Sequence, residues 1–413
     1  MADQLIYDWN THDGDPGGRY GFCEVVDETI RDGLQGPIIN IPSIEQKKEA
    51  LCRMVELGIN GVALGFPANG EADDSAELAR YMADERLGLR PYCLARAVES
   101  DVVAIDRIVQ ATGLPIDVLL FIAASPVRMA VEGWNIDTLR KAVEDVSKFV
   151  VGRNLSLIFA VEDATRTRSE DLKTLYTAAI DNGAGRIILT DTVGHITPAG
   201  VSSLLKFIVD QVVKPAGRKI GIDWHGHKDR DLAVANSLAA IEGGADRVHA
   251  TALGIGERVG NTPLESLLMN LYLLGNRKFD LSKLQSYCEY VARICGVEIP
   301  ANLPIVGRDA FKTGTGIHGA AVTKAMSHGN ADLVYAGIPA DVLGRHQEIV
   351  IGPMSGKTNV LYVLRDMKLL DLVAEPPQGL CETILQQAKI RRRILTSEEI
   401  AEIAVGFGLR AKG

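Results

Sequence analysis

The 413-residue sequence predicts an α/β protein whose main body is a closed (β/α)8 TIM barrel. Three observations carry this. Between residues 21 and 280, eight short apolar runs alternate with eight amphipathic stretches, the number a closed parallel barrel needs. Each apolar run is nearly continuous, as in strands covered on both faces. No G-x-G-x-x-G turn or G-x-x-x-x-G-K-[ST] loop opens an early helix, as an open nucleotide-binding sheet would have it. Residues 1–20 read as an N-terminal segment, and 281–413 as a smaller, mostly helical accessory region.

The units follow in order. CEVVDET (23–29) leads to a helix over 43–58, and NGVALGFP (60–67) to one over 73–88. RPYCLARAV (90–98) is followed by 100–113, DVLLFIAAS (117–125) by 135–152, and LSLIFAVEDA (155–164) by 169–183. RIILTDTVG (186–194), KIGIDWHGH (219–227) and DRVHATALG (246–254) precede helices over 197–213, 231–244 and 262–275. Thr262 reads as an N-cap, with Pro263 in the first turn and Glu265 three residues on. Gly58, Gly88 and Gly113 are expected to close helices. Beyond 280 the alternation stops: 281–296 is helical, 302–322 is an ordered loop entering a helix, and the tail 397–413 ends helical and basic.

Composition excludes several classes. A net charge of −9 argues against a nucleic-acid or anionic-membrane partner. The six cysteines are scattered with no C-x-x-C pair, so they read as buried thiols of a reducing compartment rather than a disulfide frame. The acidic, polar N-terminus lacks the basic start and apolar stretch of a signal peptide. No segment approaches the run of about 18 apolar residues a membrane span requires. The expectation is a soluble, cytoplasmic protein.

In such barrels the active site lies at the carboxyl ends of the strands. Those ends carry Arg31 and Asp32, Asn69, Arg96, Ser125 and Arg128, Glu162 and Asp163, Asp191 and Thr192, His225 and His227, then Glu257, Arg258 and Asn261. Any one of Arg96, Asp163 or Asp191 could equally be a structural ion pair; so dense a ring of ionisable groups fits that reading poorly. His225 and His227 stand two apart at a strand end, on one face, and present two imidazoles to one point. Asp32 adds a carboxylate and Asn261 an amide oxygen. Two nitrogens and two oxygens with open positions suit a catalytic divalent ion such as Zn, Mn, Co or Mg. Such an ion can chelate a 2-oxo acid and polarise its carbonyl. Arg128 adds a cation that could meet an anionic substrate tail or pair with an acid of its own helix.

DETIRDGLQGP (27–37), AVEDATRT (160–167), DTVGHITP (191–198), HGHKDRDLAVANSLAAIEGGA (225–245) and GIGERVGNTPLE (254–265) together resemble the DRE-TIM metallolyase superfamily. The match is close to its Claisen-condensing branch, the alpha-isopropylmalate, homocitrate and citramalate synthases. It continues through IVGRDAF (305–311), GIHG (316–319) and EIVIGPMSGK (348–357). The resemblance implies an acyltransferase that condenses acetyl-CoA with a 2-oxo acid to give a 2-substituted malate and CoA, as in amino-acid biosynthesis. It implies Asp32, His225 and His227 as metal ligands, Asn261 as a direct or water-mediated one, and Arg31 as stabiliser of charge on the carbonyl oxygen. Gln35, Arg96, Glu162 and Thr192 would position substrate or water, with Gly256 and Glu257 in the ligand-binding loop. His318 would be the base that deprotonates acetyl-CoA, supplied by the accessory region to the partner's barrel in a homodimer. Leucine-type feedback is not expected, since the regulatory domain of inhibited relatives is missing. Four places depart from the pattern, one of them near His346 and Gln347, where some relatives have a Tyr. Ala63 and Leu34 replace residues that are usually Glu, and Arg128 one that is commonly His. Leu34 gives RDGLQ, the form common in hydroxymethylglutaryl-CoA lyases, so lyase-like carbon–carbon cleavage is the alternative.

Overall fold

The structure is a computed structural model describing residues 5–11, 17–371 and 374–410. The expected N-terminal segment is therefore described only in part, and the last three residues of the tail lie outside the described residues. The chain divides into two compact units, one of Asp13–Ile299 and one combining Pro300–Gly413 with Met1–His12.

The first unit is a closed parallel barrel of β1 (Glu24–Asp27), β2 (Gly61–Gly65), β3 (Arg90–Arg96), β4 (Asp117–Ala123), β5 (Leu157–Glu162), β6 (Arg186–Asp191), β7 (Gly221–Gly226) and β8 (Arg247–Ala250), in that order. β8 returns to β1 in the register Glu24↔Arg247 to Asp27↔Ala250. Its helices are α1 (Gly17–Tyr20), α2 (Ile44–Glu56), α3 (Ala72–Asp84), α4 (Glu99–Thr112), α5 (Pro126–Glu132), α6 (Ile136–Gly152), α7 (Ser169–Asp181), α8 (Pro198–Ile208), α9 (Ala233–Gly243), α10 (Leu264–Leu273) and α11 (Leu284–Cys295). The apolar runs became strands because each buries both faces, one inward and one under helices. α2 starts at a capping box, Ser43 accepting from Gln46 N while the Gln46 side chain accepts from Ser43 N.

The barrel interior has two characters. On one side Leu94, Leu119, Phe121, Ile158, Ala160 and Ile188 form an apolar wall. On the other, β7, β8 and β1 send in Asp223, His225, Arg247, His249 and Glu28. Burying charge costs several kcal/mol per ion unless it is paired, so this polar half has to be a connected network.

Three local expectations change. Gly88 does not close α3; the helix ends at Asp84, and Arg86 takes the left-handed turn at φ 53°. Thr262 is not the cap of α10. It is buried, its hydroxyl donates to Gly226 O at 3.1 Å, and the helix starts at Leu264. A tertiary bond to the end of β7 outcompetes the local cap. The first unit also runs past residue 280, because α11 belongs with it: Tyr287 Oη donates to Asp27 Oδ2 at 2.7 Å.

The second unit holds α12 (Gly316–Ser327), α13 (Lys357–Asp366), α14 (Leu380–Arg391) and α15 (Ser397–Gly406), with a short parallel pair, β9 (Lys312–Thr313) and β10 (Glu348–Ile349). Its core gathers Ile351, Val360, Leu364, Leu380, Ile384 and Ile400. α12 crosses α13 closely at Gly319, where a Cβ would lie 2.5 Å from Asn359 Nδ2.

Candidate metal centre and active site

β1 ends in a turn that fixes two residues at the rim. Glu28 O accepts from Arg31 N at 3.1 Å and from Gly33 N at 3.0 Å, which projects Arg31 and Asp32 together. From β7, His225 Nε2 lies 3.2 Å and His227 Nε2 3.7 Å from Asp32 Oδ2. The two imidazole centroids are 5.4 Å apart. Burial would raise the Asp32 carboxyl, but the Arg31 guanidinium and His225 hold it well below the usual carboxylate range. Burial, with His225 beside it, pushes His227 down to about 4, leaving a neutral imidazole at neutral pH.

These residues fit a divalent ion. Ligand atoms of Asp32, His225 and His227 lie within 4.8 Å of one another, all buried. Asn261 bridges to His227 in the backbone, and its buried Oδ1 has no hydrogen-bond partner among the described residues. A buried acceptor left without a donor is costly unless something else, such as an ion, satisfies it. The loop carrying Asn261 needs glycine: Gly260 has φ +104°, and a Cβ there would collide with Gly254 O.

A cavity of about 330 Å³ opens over this cluster. Of the residues singled out in the sequence, Arg31, Asp32, Gln35, Asn69, Glu162, Thr192, His225, His227 and Glu257 line it. Gly256 packs against Asn261 Nδ2 at φ +142°. Burial pushes the Glu162 carboxyl up, against the pull of Arg128. Arg96 does not line the cavity. It is 59% exposed and forks onto Asp101, with Nε 2.8 Å and Nη2 3.0 Å from the two carboxylate oxygens. Arg128 pairs within α5 with Glu132 at 3.3 Å and stands 4.0 Å from Glu162, also outside the lining. Asp163 is held by Arg166 and Asp191 by Thr165, so both have local structural work. His318 lies in the second unit, stacked on Tyr335 at 4.0 Å between centroids.

Sequence reasoning passed over Glu28 and His249, which line the cavity floor, and the apolar Phe66, Leu94, Leu119, Phe121 and Ile188. A signal for His249 was present. Asp223, His225 and His227 recur every second residue, as do Arg247 and His249, so they share the inward face of their strands.

The profile of the family described as HMGL-like matches residues 23–291. The chain belongs to the HMGL-like family. Within it, the chain is 35% identical over 348 residues to a probable 2-isopropylmalate synthase of Methanopyrus kandleri, covering 83% of this chain and 65% of that one. It is 35% identical over 350 residues to a probable 2-isopropylmalate synthase of Ignicoccus hospitalis, covering 82% of it. It is 34% identical over 386 residues to a homocitrate synthase of Methanopyrus kandleri, covering 92% of this chain and 91% of that one. The HMG-CoA lyase of Bacillus subtilis superposes with TM-score 0.58 at 18% identity, over 68% of this chain and 96% of the lyase, a likeness of fold. The buried His and carboxylate cluster of this HMGL-like chain sits where a TIM barrel places its chemistry.

Proposed function

We propose that the protein is an acyltransferase that condenses acetyl-CoA with a 2-oxo acid and hydrolyses the resulting thioester, releasing a 2-substituted malate and CoA. The observation that carries this reading is the buried Asp32, His225 and His227 cluster beside Arg31, in a chain whose similarity to synthases extends beyond the barrel. Asp32, His225 and His227, with Asn261 Oδ1 as a fourth donor, would hold a divalent ion, which would supply Lewis-acid polarisation of the 2-oxo carbonyl. Arg31 keeps its charge and donates in a fork, so it stabilises the negative charge that develops on the carbonyl oxygen as the new carbon–carbon bond forms. His318 takes the proton from the acetyl methyl group. Gln35 and Thr192 hydrogen-bond the substrate carboxylate. Glu162, its carboxyl raised by burial, delivers or accepts a proton and orients the water that cleaves the thioester. One water is consumed, and the CoA thiol leaves with a proton.

The 2-oxo acid carries an aliphatic or aromatic side chain. Opposite the charged wall, Phe66, Leu94, Leu119, Phe121 and Ile188 offer an apolar surface. Among the described residues lining the cavity, Arg31 is the one Lys or Arg, and Arg96 and Arg128 are engaged by Asp101 and Glu132. A second substrate carboxylate would face hydrocarbon without a cation, a costly desolvation. The test is CoA release from acetyl-CoA with a panel of 2-oxo acids and Mg, Mn or Zn. Branched or aromatic acids should turn over faster than dicarboxylic ones. Acetyl-CoA formation from a 3-hydroxyacyl-CoA, with no CoA release from any 2-oxo acid, would replace this reading with the lyase one.

A further inference from the structure

Below the metal cluster runs a continuous buried chain of charge. Glu28 Oε2 accepts from Arg31 Nε at 2.7 Å and Nη2 at 2.5 Å. Glu28 Oε1 accepts from Tyr92 Oη and from His249 Nδ1, the latter at 3.0 Å. His249 Nε2 is 3.2 Å from Asp223 Oδ2, which also takes Arg247 Nε at 2.8 Å. Since Glu28 and Asp223 are both acceptors, His249 bridges them as a donor on each side. Tyr92 reaches Glu28 across β2 at the level of Ala63, whose methyl group leaves the path open.

Glu28, His225 and His249 also form a second group with ligand atoms within 4.8 Å. It is no second metal site, because both Glu28 oxygens are already filled by proton donors. Its significance lies in what Glu28 touches above. His225 turns Nε2 to Asp32 and Nδ1 to Glu28 Oε1 at 3.8 Å, an ion-pair distance rather than a hydrogen bond. When Nε2 serves as a ligand, Nδ1 carries the proton, and a carboxylate facing it favours that tautomer and orientation. Arg31, tied to Glu28, stands 3.5 Å from Asp32 Oδ1 instead of forking tightly onto it. Asp32 is thereby left available as a ligand.

We propose that Glu28 is a positioning residue that couples the metal centre to Arg31, orienting the His225 imidazole with one oxygen and holding Arg31 off Asp32 with the other. The inference rests on the metal centre of the proposed function, but it is read by metal binding and so stands or falls apart from turnover. The experiment titrates the metal-free full-length protein with Co2+, following the visible ligand-field band and the affinity by calorimetry, in wild type, Glu28→Gln and Glu28→Asp. Glu28→Gln should weaken Co2+ binding about 10- to 100-fold and shift the band, and Glu28→Asp should restore part of both. Where turnover is measurable, Glu28→Gln should lower kcat more than it raises KM, and should cost much less in an Arg31→Ala background. If Glu28→Gln fails to fold, Tyr92→Phe removes one clamp on the same oxygen and should weaken Co2+ in the same direction. Co2+ affinity within about twofold of wild type, with an unshifted band, overturns the proposal. A weakened site in a protein that condenses no 2-oxo acid would leave the proposal intact and reject the function.

Discussion

His225 and Asp32 approach within 3.2 Å in a buried rim, and two such groups are worth their desolvation only if a third partner shares them. His225→Ala removes one donor from a cluster of three. It should abolish stoichiometric metal retention and cut CoA release by several orders of magnitude, with the fold kept. Metal content after reconstitution checks the first and turnover the second; near wild-type turnover would remove His225 from the site. Arg31→Ala should spare metal binding relative to that and lower kcat by about 10²–10³-fold, the usual worth of a charge-stabilising donor. The histidine pair was legible because two residues two apart on a strand share a face wherever the strand lies. Arg96 and Arg128 stand outside the cavity lining for a reason of local pairing. Their position at strand ends was legible, but Asp101 and Glu132, close by in sequence, take their guanidiniums.

The start of α10 shows how an element answers to its surroundings. Thr262 and Glu265 look like a cap pair, but Thr262 bonds Gly226 O and Glu265 Oε2 accepts from Leu253 N at 2.9 Å, bracing the loop that precedes Asn261. Burial pushes the Glu265 carboxyl up to about 7. A folded pKa above the unfolded one means the folded state holds the proton more tightly. That contribution is complete below about 4.5 and is lost as pH rises through about 7. Glu265→Gln keeps the acceptor oxygen and removes the charge, so the stability difference between it and wild type should grow in the mutant's favour from pH 4.5 to pH 7. Melting temperatures across that range test this, and parallel curves for the two proteins would reject it. Gly260→Ala strains the same loop at φ +104° and should lower metal affinity, measured by the Co2+ titration. At the opposite end of the scale of effects, Ser43→Ala breaks a surface capping box and should cost about 1 kcal/mol with no change in metal affinity. Chemical denaturation reads it.

Assembly enters through His318, which the barrel unit does not contain. In the homodimer that the family resemblance implies, it would complete the partner's site, and that geometry would exclude water from a reactive enolate. A His318→Ala chain and a His225→Ala chain, each nearly inactive alone, should recover about half of wild-type activity per mixed dimer, since one of two sites then has both residues. Mixed dimers confirmed by mass but without recovered activity would reject the arrangement in trans. The substrate preference belongs at this level too, because the apolar wall exists only when strands β3 to β6 close against β7, β8 and β1.

Eight strand–helix units, the barrel they form and the rim where polar residues gather could be read directly from the chain, because burial on two faces and helical amphipathicity are written within a dozen neighbouring residues. The family motifs added the candidate metal ligands. Closure did the rest. Asp32 meets His225 because β8 returns to β1, a pairing between the two ends of the barrel that no local pattern encodes. Glu28 at the end of β1, Tyr92 on β3, Asp223 on β7 and Arg247 and His249 on β8 form one network only once those four strands are in register. Inside a low-dielectric barrel each of these groups must find its partner or lose several kcal/mol, so the network is a property of the closed sheet rather than of any segment in it.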